Sequence, residues 1–153
     1  MDKDKEKDLA RLNEIRDFVV KKFPDCCLAH NYDHYTFDKD YDLPVLAENL
    51  NDFFWTEYMN LCNCGMPYIA QEQIKKYLEI IKNVSDAKGN NSSEEMKAVF
   101  NVEYVYDAAL LLFLAHVLDS YEFTSHGSSI GSAFITDLGR MYLDVLTIYL
   151  KEE

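Results

Sequence analysis

The sequence predicts an all-α fold, a bundle of about five helices around a central apolar helix. Three observations predict it. Apolar residues recur at three-to-four spacing in four separate stretches, as in helices with one buried face. Ala108–Ala115 is an unbroken run of eight non-polar residues. No alternating strand pattern competes, and no internal repeat is present. With 153 residues, 48% of them hydrophobic and 14% aromatic, residues 1–153 read as a single globular domain.

The elements follow in order. Leu9, Leu12, Arg16, Val19 and Phe23 step along one face, which Ile15 widens, and Pro24 ends this first helix. Residues 25–43 hold no period and read as an irregular connection rich in Asp, Asn, His and Tyr. Pro44 suits the first turn of a second helix, with Glu48 near its positive end. Its stripe is Ala47, Leu50, Phe53, Phe54, Tyr58 and Leu61, with Trp55 beside it. Cys62-Asn63-Cys64-Gly65-Met66-Pro67 breaks that helix. Ile74, Tyr77, Leu78 and Ile81 mark a third, and Ser85–Ser93 reads as a polar loop.

Ser92 and Glu95 form a capping box for the central helix. Met96, Val99, Phe100, Tyr104 and the apolar run carry it to about Phe123, and Gly127 is a natural stop. Because it is apolar on nearly all sides from Ala108 to Leu118, it is expected in the middle of the others. Leu112→Ala would then cost about 2–5 kcal/mol, as for a buried leucine. Asp137 is expected to cap a last helix with the stripe Leu138, Met141, Tyr142, Val145, Ile148 and Tyr149.

Charge limits the function. There are 27 acidic and 15 basic residues, a net charge of −12. Such a surface repels nucleic-acid phosphates and anionic lipid headgroups. It suits a basic protein partner, or simply solubility. The 11 tyrosines suit the margins of a helical core, ring inside and hydroxyl near water. The charged opening Met1–Asp8 lacks the apolar core of a signal peptide. The longest hydrophobic run is well short of the roughly 20 residues that span a bilayer. The expectation is a cytoplasmic chain, monomeric or weakly dimeric.

Four candidate sites stand out. Cys26, Cys27, His30 and His34 crowd together, and Cys62 and Cys64 could join them. His30 and His34 have a zinc-like spacing, but adjacent Cys26-Cys27 and the C-x-C pair do not. Metal held by Cys26, His30, His34, Cys62 and Cys64 is therefore the weaker alternative to reduced, metal-free thiols. Asp38, Asp40 and Asp42 imitate the opening of a calcium loop. Leu43 replaces the required glycine and Asn49 the bidentate glutamate, so a solvated loop is expected. His116, alone among apolar residues, reads as a core histidine.

The fourth is the small, hydroxyl-rich turn from His126 to Ala133. Its glycines permit close backbone approach, and its serines and amides could receive an anion or a cofactor edge. His126, Gly127, Ser128, Ser129, Gly131 and Ser132 form a candidate docking or ligand-contacting turn. On composition alone it reads as a tightly packed helix connection.

A resemblance attaches to this turn. Asn101-Val102-Glu103, the long helix, Leu118-Asp119-Ser120-Tyr121, His126–Ala133 and Thr136-Asp137 resemble the C-terminal helical domain of fumarate reductase/succinate dehydrogenase-type flavoproteins. A weaker similarity runs back through Cys64-Gly65 to Trp55–Leu61, so the resemblance covers about residues 50–137. It implies an accessory helical domain, non-catalytic by itself, docking on a flavin-binding chain that supplies the FAD. Ile130 stands where the family's Ser-Arg-Gly element carries its arginine. The G-x-G-x-x-G turn of a dinucleotide fold is absent from the sequence. No catalytic residue carries over, and the chain alone is expected to retain no flavin. The alternative is an acidic helical interaction protein, of inhibitor or immunity type, that binds a basic protein.

Overall fold

A computed structural model describes residues 2–25, 42–59, 71–87, 105–125 and 134–152. The fold is all-α among these residues, apart from one small two-stranded ladder. Five α-helices are described: α1 (Lys3–Lys22), α2 (Leu43–Asp52), α3 (Gln71–Ala87), α4 (Val105–Ser120) and α5 (Asp137–Glu152). A π-helical segment, Phe53–Tyr58, continues α2. The strands are β1 (Thr124–Ser125) and β2 (Phe134–Ile135). None of these helices is long and apolar enough to cross a membrane.

The chain divides into two compact units, Met1–Gly65 with Asp144–Glu153, and Met66–Leu143. In the first, Asp2 caps α1 by accepting a hydrogen bond from the Asp4 amide at 3.0 Å. Leu12, Ile15 and Val19 are fully buried, so the predicted stripe of α1 is its packed face. The helix ends one residue before Phe23, its C-cap, with Pro24 next in the chain. In α2 the Asp42 carboxylate caps the helix, accepting from the Val45 amide at 3.2 Å, and Pro44 lies in the first turn. Glu48 lies beyond that first turn, short of the positive end expected for it. Asp42 thus serves as a helix cap; Asp38 and Asp40 lie outside the described residues.

The same unit holds a feature that apolar spacing did not indicate. At Phe53 the helix widens to π geometry, and the Met59 amide donates to the Phe54 carbonyl at 3.0 Å. An i→i+5 bond places residues five apart on one side. Phe53 and Tyr58 accordingly stack, with ring centres 6.1 Å apart and planes 20° apart. A stripe counted at 3.6 residues per turn cannot reveal this geometry.

In the second unit, Ile74, Tyr77, Leu78 and Ile81 of α3 are buried as their spacing predicts. The helix runs on to Ala87, so Ser85 and Asp86, expected in a loop, are helical. Of its predicted stripe the last helix buries Leu138, Tyr142, Val145 and Ile148 and leaves Met141 and Tyr149 half-buried, and it buries Leu143 and Leu146 in addition. Its residues to Leu143 belong to the second unit and those from Asp144 to the first.

The helix expected at the centre departs most from expectation. It ends at Ser120, before Phe123 and well before Gly127. Leu114, Ala115 and Leu118 are buried, but Leu112 is 52% exposed and Phe113 49% exposed. His116 is exposed with them and is not a core histidine. Residues 112, 113 and 116 share one face at helical spacing, opposite the packed one. An all-apolar run cannot indicate which face turns outward, because there is no polar stripe to mark it. We therefore expect Leu112→Ala to change stability by less than about 0.5 kcal/mol, the range for surface substitutions. Chemical denaturation of the variant and the parent measures this.

Candidate functional site

The predicted turn, His126, Gly127, Ser128, Ser129, Ile130, Gly131, Ser132 and Ala133, lies outside the described residues, but the structure on either side of it is described. Thr124 pairs with Ile135 and Ser125 with Phe134 in an antiparallel ladder. The stretch whose sequence reads as helix stop and helix connection is therefore flanked by a β-ladder. A two-residue strand is too short to show a period of two, which is why apolar spacing missed it.

Around this ladder the chain is closely held. Thr136, not Asp137, caps α5: its Oγ1 accepts from the Gly139 amide at 3.0 Å. The same hydroxyl lies 2.5 Å from the Glu122 carbonyl and 3.0 Å from that of Phe123. The Thr136 amide also donates to the Phe123 carbonyl, at 3.2 Å. Asp137 is the first residue of the helix, where its charge meets the positive end. Gly139 lets the helix backbone press against Phe123, because a Cβ there would lie 2.0 Å from the Phe123 carbonyl oxygen. Glu122, at φ 66°, makes the left-handed turn that leads from α4 into β1.

From the other side, α3 supports β2. The Ser85 hydroxyl donates to the Ile81 carbonyl at 2.8 Å and accepts from the Ile135 amide at 3.0 Å. Arg140 reaches Asp86 at 2.7 Å. That hydrogen bond from the guanidinium holds the Asp86 carboxyl below its ordinary range. Behind the ladder, Phe123 and Tyr142 pack with ring centres 4.8 Å apart. Ser85, Glu122, Thr136 and Gly139 were not singled out as site residues by sequence reasoning. A threonine three residues before an in-helix glycine was the one legible signal, since that spacing suits a cap and a close approach.

The other sequence candidates divide simply. Cys26, His30, His34, Cys62 and Cys64 lie outside the described residues. Among the described residues no group of three or more His, Cys, Asp or Glu side chains could hold a metal ion. In the first unit, a groove of about 520 Å³ runs between α1 and α5. Two ion pairs cross it, Arg11–Asp144 at 2.7 Å and Lys151–Asp8 at 2.6 Å. The hydrogen bond to Asp8 pushes the Lys151 ammonium above its ordinary range. Both pairs are at least partly exposed, so they tether the helices weakly and offer little free charge to a ligand.

Two arrangements in the second unit thus have functional potential: the braced ladder that carries residues 126–133 and the outward face of α4. Comparison with protein-family models, curated proteins and solved structures finds no match.

Proposed function

We propose that this chain is a helical interaction module that docks on a basic protein partner through the outward face of α4. The observation that carries the reading is the adjacent exposure of Leu112 and Phe113, 52% and 49%, within a run of eight non-polar residues. Large apolar side chains exposed together are unfavourable in water and are typical of protein contact sites. Charge narrows the partner. At −12, two copies of this chain repel one another, whereas a partner with an apolar centre and a lysine- or arginine-rich rim is attracted. Asp119, in the last turn of the same helix, and the exposed Glu122, in the turn that follows it, are suitable rim contacts for such a partner.

The flavoprotein resemblance supplies one version of this reading, in which the partner is a flavin-binding chain and this chain an accessory to it. A single experiment reads both. A photo-reactive phenylalanine analogue replaces Phe113 in the source cells, with the exposed Glu72 of α3 as the control position. The expected result is a defined cross-linked partner from position 113, absent from position 72, and lost when Leu112→Ser is added. A flavin-binding partner supports the accessory version; a basic partner without flavin supports the interaction-protein version. Cross-links only to a second copy of this chain, or equal cross-linking from both positions, would overturn the proposal.

A further inference from the structure

A different feature lies in the first unit, where the end of α1 meets the π-helical segment. The Phe23 ring lies 5.5 Å from that of Phe53 and 5.2 Å from that of Tyr58, tilted by 50° and 58°. With the stacked Phe53–Tyr58 pair, these rings wall an open pocket of about 350 Å³. Asp25, Glu57 and Lys22 also line it. The widened turn is what brings Phe53 and Tyr58 together, and π-helical turns of this kind recur at functional sites.

The chemistry of the walls selects a guest. An aromatic face carries negative quadrupole charge, so it attracts a cation about two- to thirty-fold over a neutral guest of similar shape. Among the described lining residues, the carboxylates of Asp25 and Glu57 stand against the one ammonium of Lys22. An alkylammonium already lies close to these rings: Lys22 Nζ is 5.6 Å from the centre of Phe18 and 5.9 Å from that of Phe23. We propose that this pocket binds an alkylammonium group, the side chain of a lysine or N-methylated lysine on a partner peptide. Lys22 is then both the intramolecular precedent and the competitor. Its charge repels a second cation until its flexible side chain moves aside. The site is independent of the α4 face, and either can fail without the other.

The test uses the full chain and its single tryptophan, Trp55, which sits in the same π-helical segment. Its fluorescence is followed during titration with N-acetyl-lysine methylamide, the Nε-trimethyl form, and the neutral norleucine analogue. Saturable binding of either cation, with norleucine at least about five-fold weaker, is the expected result. A preference for the trimethyl form assigns the site to methylated lysine, and equal binding assigns it to lysine in general. Glu57→Gln should weaken binding about three-fold or more, and Lys22→Met should strengthen it, opposite signs that a merely structural role would not produce. Leu112→Ser should leave it unchanged. Norleucine binding as well as the cations would overturn the proposal, as would the lack of saturation below about 10 mM. Insensitivity to both charge variants would overturn it as well.

Discussion

Gly139→Ala is expected to destabilise the protein by about 3 kcal/mol or more, lowering Tm by roughly 10 °C for a chain of this size. Helix propensity alone argues the other way, since alanine within a helix gains about 1 kcal/mol over glycine. Steric contact decides the sign. The new methyl would lie 2.0 Å from the Phe123 carbonyl oxygen, 2.9 Å from its carbon and 2.8 Å from Ile135 Cγ1. Two of the three are backbone atoms, so no side-chain rotation relieves the clash. Separation of α5 from Phe123 would stretch the hydrogen bonds that Thr136 makes to that carbonyl, at 3.0 and 3.2 Å. It would also disturb the Phe123–Tyr142 packing behind the ladder. Thermal unfolding of the variant reads the effect. An unchanged or raised Tm would show that α5 and Phe123 do not touch as described.

The second large effect is alkaline unfolding driven by two buried tyrosines. Tyr77 is 1% exposed, and burial, aided by the nearby Asp119 carboxylate, pushes its hydroxyl up to about 12. Tyr142 is fully buried, and burial raises its hydroxyl further still. In the unfolded chain both titrate near 10. Below about pH 10 both states keep their protons, so the stability associated with the neutral hydroxyls is fully present. Above it, the unfolded chain releases protons that the folded chain retains, and the unfolded state gains. Stability then falls by about 1.4 kcal/mol per pH unit for each tyrosine, until the folded form titrates as well. Over the two units to about pH 12 the pair can remove roughly 5 kcal/mol, comparable with the whole stability of many domains.

Urea unfolding between pH 8 and 11.5, with tyrosinate absorbance recorded in parallel, measures this. Tyr142→Phe should roughly halve the steepness of the loss. Equal slopes for parent and variant would mean that Tyr142 titrates normally and is not buried.

Much of this fold is legible in the residues alone. The buried faces of α1, α3 and α5 follow from apolar residues at helical spacing against a polar background, because only one face of each can leave water. Pro44 marks the start of α2 for an equally local reason, since proline needs no donor in a first turn. Asp42, by contrast, read as part of a solvated acidic loop, proves to be the cap of that helix. Even so, the polar side chains of Ser85 and Asp86 suggested a loop where α3 continues. Serine and aspartate bond equally well to a distant partner, here Ile135 and Arg140.

What the tertiary structure decided lies where local chemistry was uniform or too short to show a period. Ala108–Ala115 specifies a helix but not an outward face, so the exposure of Leu112, Phe113 and His116 depends on what packs against Leu114, Ala115 and Leu118. The ladder of Thr124–Ser125 with Phe134–Ile135 has two residues a side, and it is held by Thr136, Ser85 and Gly139, whose partners are distant or depend on the fold. The π-helical turn goes together with ring packing among Phe23, Phe53 and Tyr58, and the Phe23 contacts come from another segment, which a helix pattern within one segment cannot encode. By itself the sequence determined the helical class, most buried stripes and the charge; tertiary packing determined which apolar surface stays in water, because that depends on contacts between segments far apart in the chain.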